Sequence, residues 1–292
     1  MKIKNIIQHF QKELQNDFSS DEIETLIFFS LNKFLGLSRS QISISESQFI
    51  NLPLYEKLIK VVSELKSHKP IQYILERTEF YGCTICVNPS VLIPRPETEE
   101  LVDLIISAQR TSANLSPNIL DIGTGSGCIP IVLKKNIPES TVTAFEISEE
   151  ALMIAKENGI KNKTKINFVV ADILNDFNSD TPISTDRLDI IISNPPYIRL
   201  SEKGNMNKNV VDYEPHLALF VEDNNPLIFY NAIANFAITN LSQNGILYLE
   251  INEMLGEDTK NLLQEKGFEN VQVIKDMSGK DRFVTSRLRQ NK

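Results

Sequence analysis

Asp121-Ile122-Gly123-Thr124-Gly125-Ser126-Gly127 follows the apolar run Ile119-Leu120 and precedes a helical pattern over 128–136. Three of the chain's 11 glycines fall within five positions here, although the chain has 292 residues. Without a Cβ, glycine lets the backbone turn sharply and approach a ligand closely. In open parallel sheets, ligands sit beyond the carboxyl ends of strands, near the point where strand order reverses. A dinucleotide fingerprint, G-x-G-x-x-G, requires glycine at 128, where Cys128 stands. The spacing G-x-G-x-G therefore fits S-adenosylmethionine better than a pyrophosphate. A ligand-free strand–helix turn is the bland alternative.

Downstream, strands and helices alternate. Ile119–Asp121, Val142–Phe145, Asn167–Val170, Leu188–Ile192, Ile246–Glu250, Val271–Ile274 and Arg282–Thr285 read as strands. Helical stretches over 128–136, 148–159, 226–240 and 256–266 separate most of them. This order predicts an α/β fold, a mostly parallel seven-stranded sheet with helices on both faces. Met277 to Asp281 is too short for a parallel crossover, so the last strand should be antiparallel. The polar stretches 175–186 and 201–212 read as loops, the second near the active site.

Upstream, Ile6, Ile7, Phe10 and Leu14 recur at helical spacing, as do Ile23, Leu26, Ile27, Phe34 and Leu35. Ser20-Asp21 and Gly36 bound the second helix, and a third covers about 54–65 with Leu58, Val61, Val62 and Leu65 on one face. Phe80-Tyr81-Gly82, Ile85, Val87 and Val91-Leu92-Ile93 suggest a hairpin that ends at Pro94 and Pro96, before a helix over 97–108. The expected domains are a helical substrate-recognition bundle (1–75), a hairpin linker (76–96) and a catalytic domain (97–292).

The formal charge is −8. Residues 1–80 hold ten basic and ten acidic side chains, so the whole excess lies beyond them. A protein gripping a duplex by its phosphates carries the opposite sign. No run approaches the roughly 20 apolar residues that span a bilayer. Three cysteines make no disulfide framework, and a cytoplasmic location is expected. Cys83 and Cys86 point to opposite faces of an extended segment and read as structural. His9, His68 and His216 lack ligand spacing, so no metal is expected.

Two acids and a second turn complete the candidate site. Glu146 ends the second strand, where a carboxylate can accept from both ribose hydroxyls. Asp172 follows the third, within reach of an adenine amino group, with Ile173 placed to cover the ring. Ser193-Asn194-Pro195-Pro196-Tyr197 follows the fourth strand. Proline forces the preceding residue to be extended and offers no N–H. The turn thus presents acceptors, the Asn194 side-chain oxygen and the Pro195 carbonyl, which together suit the two hydrogens of a planar NH₂ group. Tyr197 can stack on that group. An amide nitrogen is a poor nucleophile because its lone pair is delocalised. Oriented acceptors stabilise the positive charge that grows on it, so no strong general base is assigned.

With both turns in place, the chain resembles class I, Rossmann-like S-adenosylmethionine-dependent methyltransferases. Within them it is most similar to the release factor glutamine methyltransferases. Lys69-Pro70-Ile71-Gln72-Tyr73-Ile74-Leu75, Glu79-Phe80-Tyr81-Gly82, Val91-Leu92-Ile93-Pro94-Arg95-Pro96-Glu97-Thr98-Glu99, Tyr213-Glu214-Pro215 and Lys275-Asp276…Gly279…Arg282 carry that similarity. The resemblance implies methyl transfer to the side-chain N5 of glutamine in the Gly-Gly-Gln motif of peptide chain release factors 1 and 2, with S-adenosylhomocysteine as product. It implies cofactor contacts from Gly123, Thr124, Gly125, Ser126, Gly127, Glu146, Ile173 and Asn194, joined by Asp172 from the reading above. Asn194, Pro195, Pro196 and Tyr197 would hold the substrate glutamine. A monomer is expected, with no direct nucleic-acid or membrane partner.

The chain departs from the family at Glu146, where aspartate is usual, and in Val221-Glu222-Asp223-Asn224-Asn225-Pro226, which lacks an Asp-Gly pair. A ribosomal-protein glutamine methyltransferase and a DNA adenine-N6 methyltransferase remain as alternatives. The latter should carry a basic domain. A nucleotide-binding adaptor would need neither Asn194 nor Tyr197. Glu97 and Glu99 favour the N-terminus of their helix, and a part for Arg95 or Glu97 near the cofactor stays open.

Overall fold

The computed structural model describes residues 1–175 and 187–289. The expected loop 175–186 lies outside them except for Asn175. In chain order the first elements are helices α1 (Ile3–Leu14), α2 (Ser20–Leu35), α3 (Arg39–Ile44), α4 (Leu52–Lys66) and α5 (Ile71–Leu75). Strands β1 (Thr78–Phe80) and β2 (Cys83–Ile85), helix α6 (Pro96–Arg110), β3 (Asn118–Ile122), α7 (Cys128–Asn136), β4 (Thr141–Glu146), α8 (Glu149–Lys161), β5 (Asn167–Val170) and β6 (Leu188–Ser193) follow. The remainder is β7 (Ile198–Arg199), a 3₁₀ turn (Leu200–Asn205), α9 (Lys208–Tyr213), a 3₁₀ turn (His216–Ala218), β8 (Phe220–Val221), α10 (Ile228–Asn240), β9 (Leu241–Glu250), α11 (Gly256–Glu265), β10 (Phe268–Lys275) and β11 (Asp281–Leu288).

Residues 1–77 with 207–213 form one compact unit, and 78–206 with 214 onward form another. In the first, α1 buries Ile3, Ile6, Phe10 and Leu14, and α4 buries Leu58, Val61, Val62 and Leu65 in the same cluster. Each such side chain contributes about 1.5–3 kcal/mol. Ser19 caps α2: its hydroxyl accepts from Glu22 N–H, and its own N–H donates to the Glu22 carboxylate at 2.8 Å. Gly36 ends that helix at φ 70°, a left-handed conformation that costs a side-chain-bearing residue more.

The second unit is a seven-stranded sheet in the order β10-β11-β9-β6-β3-β4-β5. β9, β6, β3, β4 and β5 pair in parallel, and β11 runs antiparallel to both β9 and β10, as the short final connection requires. Because β3 has β4 on one side and β6 on the other, strand order reverses there, and a crevice opens beyond the carboxyl ends of β3 and β6.

Three local expectations change. Residues 201–212 are not a loop but a 3₁₀ turn and then α9. Glu202 starts the turn by accepting from the backbone N–H and Nε of Arg199. β9 begins at Leu241, five residues before the expected Ile246; its register shifts opposite Leu188/Ile190, and the polar Ser242, Gln243 and Asn244 obscured its start. The hairpin keeps only Thr78–Ile85. Its two-residue turn, Tyr81-Gly82, has φ of 47° and 72° and brings the strands back antiparallel. Val87, Val91 and Ile93 are buried without strand pairing.

Candidate active site

A cavity of about 570 Å³ opens at the switch point. Gly123, Thr124, Gly125 and Ser126 line it from the turn after β3, and Glu146, Asp172 and Ile173 from beyond β4 and β5. Asn194, Pro195 and Pro196 line it from beyond β6. Val91, Leu92, Pro94 and Arg95 add a wall, and Phe229 supplies an aromatic ring. None of residues 201–212 takes part.

The glycine turn is built in two halves. Gly123 and Gly125 have φ of 76° and 53°, and a Cβ at either would meet no protein atom within 4 Å. Bare backbone therefore borders open space at two cavity-lining positions. Gly127 also has positive φ, but a Cβ there would lie 3.0 Å from Ala155 Cβ. Gly127 does not line the cavity. Its smallness lets the start of α7 lie close to α8, a packing role that the sequence reading, which expected a cofactor contact, did not foresee.

Glu146 is buried, and its carboxylate accepts from the backbone N–H of Gly125 at 2.8 Å and of Ser148 at 3.0 Å. It thereby stiffens the turn while retaining lone pairs for hydroxyl donors. Asp172 accepts from the Leu174 N–H at 2.8 Å and the Asn175 side-chain amide at 2.6 Å, so its carboxylate is fixed in place beside Ile173. Beneath the turn, the carboxylate of Asp121 is wholly buried, and the nearby Thr124 hydroxyl only partly offsets the cost of burying it. Burial pushes Asp121 up to about 7. Two open glycine faces, the Thr124 hydroxyl and strand-end acids beside an aliphatic residue fit S-adenosylmethionine, which offers N–H and O–H donors and a flat adenine. Cys128 lines the cavity, yet burial raises its thiol to about 12 and keeps it protonated.

On the opposite side, the Asn194 amide nitrogen donates to Thr98 Oγ1 at 3.1 Å, and Thr98 donates to Glu250 Oε2 at 2.7 Å. This leaves the Asn194 oxygen as the end of the amide available to a ligand. Ser193 donates to the Ile122 carbonyl at 2.7 Å and joins the two turns at their base. Tyr197 is placed otherwise than expected. Its ring packs against the sheet's hydrophobic core, its hydroxyl donates to Glu250 Oε1 at 3.0 Å, and it does not line the cavity.

Several contributors went unseen in the sequence. Thr98 and Glu250 are buried and 152 residues apart. Glu214, also buried, accepts from Arg95 Nη2 at 2.6 Å and from the Ile93 N–H at 3.1 Å, so Arg95 reaches the cavity wall as an anchored side chain. Asn158, fully buried, accepts from the Cys86 N–H and donates to the carbonyls of Cys86 and Ser126. The quoted strings contain Thr98, Arg95 and Glu214, but nothing in the sequence pairs them across the chain.

A family model described as the methyltransferase small domain matches residues 102–213. A protein of Flavobacterium psychrophilum named release factor glutamine methyltransferase is 45% identical over 286 residues, covering 97% of this chain and 98% of that protein. One of the same name from Bacteroides thetaiotaomicron is 40% identical over 284 residues, covering 97% and 99%. Among solved structures, the hMettl16 catalytic domain in complex with MAT2A 3′UTR hairpin 1 is 16% identical. It aligns with a TM-score of 0.57, covering 94% of this chain and 92% of that one, a likeness of fold. The parallel sheet with one reversed strand, its switch-point cavity and the near-full-length identity agree: the chain is a methyltransferase and belongs to the release factor glutamine methyltransferase family.

Proposed function

We propose that the chain transfers a methyl group from S-adenosylmethionine to the side-chain N5 of glutamine in the Gly-Gly-Gln motif of peptide chain release factors 1 and 2. The observation that carries this reading is the orientation of Asn194, whose nitrogen is engaged by Thr98 so that its oxygen is presented at the cavity. That oxygen and the Pro195 carbonyl accept the two N–H groups of the substrate carboxamide, and both bonds strengthen as nitrogen gains positive charge. Holding the nitrogen in line contributes up to about 7–11 kcal/mol in favourable systems. S-adenosylmethionine supplies a methyl group on a sulfonium, an electrophile strong enough for an amide.

Gly123, Thr124, Gly125, Ser126, Glu146, Asp172 and Ile173 would hold the donor. Pro196 shapes the substrate side, and Tyr197 anchors the turn from behind instead of stacking on the carboxamide. Residues 1–75 recognise the body of the release factor, and exposed Ile44, Phe49 and Leu52 offer apolar contact area there. No helix among the described residues is long and apolar enough to cross a membrane. We place the enzyme in the cytoplasm as a monomer acting without direct nucleic-acid contact.

The deciding experiment supplies labelled S-adenosylmethionine with release factor, ribosomal protein and DNA side by side, followed by peptide mapping. Label on the Gly-Gly-Gln glutamine is the expected result. Label in a ribosomal protein or in adenine would replace the proposal.

A further inference from the structure

Glu250 ends β9 with only 1% of its surface exposed and does not line the cavity. Its two oxygens accept one hydroxyl each, from Thr98 at 2.7 Å and from Tyr197 at 3.0 Å. A carboxylate can only accept, so it fixes the direction of both O–H bonds. Thr98 must spend its single proton on Glu250 and can then only receive from Asn194, which donates through Nδ2 at 3.1 Å. The polarity of this chain, set at Glu250, runs through Thr98 and decides which end of the Asn194 amide faces the cavity.

From this geometry we infer that Glu250 is a positioning residue that keeps the Asn194 amide from flipping and so holds the acceptor oxygen, not the NH₂ group, toward the substrate carboxamide. The inference rests on the role given to Asn194 above. Were Glu250 neutral, it could itself donate to Thr98. Thr98 would then be free to donate to the Asn194 oxygen, and the flipped amide would set its own NH₂ group against the substrate's. Asparagine's two ends are nearly identical in shape, so packing alone does not choose between them. Tyr197, tied to the same carboxylate, holds the far end of the Asn-Pro-Pro-Tyr turn, and both ends of the turn share one anchor.

The charged groups facing this carboxyl are Arg282 on β11 and Glu97 on α6, and the other titratable neighbours are Tyr197 and Tyr230. Burial raises Glu250 to about 7, within reach of ordinary assay conditions. Turnover should therefore fall as pH drops through that region, while donor affinity stays level.

The test compares methyl transfer to intact release factor by Glu250→Gln, Thr98→Val, Thr98→Ser, Asn194→Ala and the Glu250→Gln/Thr98→Val double variant. Glu250→Gln and Thr98→Val should each lower kcat at least tenfold with the Kd for S-adenosylmethionine within about threefold. Thr98→Ser should recover most of kcat. The double variant should be no worse than the poorer single variant, because both break one chain. Glu250→Gln should also lose the acid limb of the kcat profile. A folded Glu250→Gln or Thr98→Val enzyme with kcat within twofold of wild type, or losses that multiply in the double variant, overturns the inference. If Glu250→Gln does not fold, the Thr98→Val and Thr98→Ser pair decides. Near-normal turnover by Asn194→Ala would instead sink the role of Asn194 itself, whereas an inactive Asn194→Ala beside an active Thr98→Val sinks only the relay.

Discussion

Arg95 Nη2 lies 2.6 Å from Glu214 Oε1, a pairing across 119 residues that ties the Ile-Pro-Arg-Pro string to the Tyr-Glu-Pro string. The Glu214 side chain is almost wholly buried, whereas 31% of the Arg95 side chain is exposed. The carboxylate is therefore the member that depends on its partner. Glu214→Ala should cost about 1.5–3 kcal/mol in urea unfolding, the usual range for hydrogen bonds to a charged group. It should also loosen the cavity wall, weakening donor binding several-fold. An unchanged unfolding midpoint would mean that the pair is ornamental.

Asn194→Ala removes the acceptor proposed to hold the substrate nitrogen, together with the donor to Thr98. We expect kcat to fall by about 10²–10³, the loss typical for one oriented hydrogen-bond partner of a transition state. Calorimetry with S-adenosylmethionine should meanwhile give a Kd within a few-fold of wild type.

Two glycines of one turn should answer differently to alanine. Gly127→Ala combines a left-handed backbone with a Cβ 3.0 Å from Ala155 Cβ, and should lower stability by about 2–4 kcal/mol. Gly123→Ala meets only open space and should cost about 1–2 kcal/mol, with its larger effect on donor affinity. Thermal midpoints with and without donor separate the two; identical behaviour would contradict the division of labour.

Asp121 should leave a mark on stability against pH. Its ordinary value of 3.8 is raised by burial to about 7, so the folded chain keeps a proton that the unfolded chain has lost. Its contribution is complete below about pH 4 and is lost as pH rises through 7, by at most about 1.4 kcal/mol per pH unit. Asp121→Asn cannot titrate. Its unfolding free energy should decline less between pH 5 and 8 than the wild type's, and parallel curves would refute the assignment.

Phe49 and Leu52 are 73% and 63% exposed on the helical unit. Replacing both with serine should raise KM for intact release factor about tenfold and leave transfer to a short Gly-Gly-Gln peptide unchanged, a loss of roughly 1.4 kcal/mol in docking. Equal losses on both substrates would remove these residues from recognition.

The sheet was legible because its strands are apolar runs punctuated by glycine and proline, and the glycine and Asn-Pro-Pro-Tyr turns were legible because few residue types meet their backbone demands. The start of β9 was hidden by Ser242-Gln243-Asn244, whose side chains carry no strand signal. Residues 201–212 looked like a loop because neither the 3₁₀ turn nor α9 buries a residue that would set a period. Thr98, Glu214 and Glu250 could not be paired, since in sequence each is an ordinary polar residue beside a helix start or strand end. A motif fixes residue type and order but not which way an aromatic ring turns, so the contact of the Tyr197 hydroxyl with Glu250 could not be read from it.

Asn158 grips Cys86 and Ser126 through main-chain atoms alone. The splint itself therefore makes no demand on the side chains at 86 and 126, while 158 tolerates almost no replacement, since no other side chain offers an acceptor and two donors in that flat arrangement at that length.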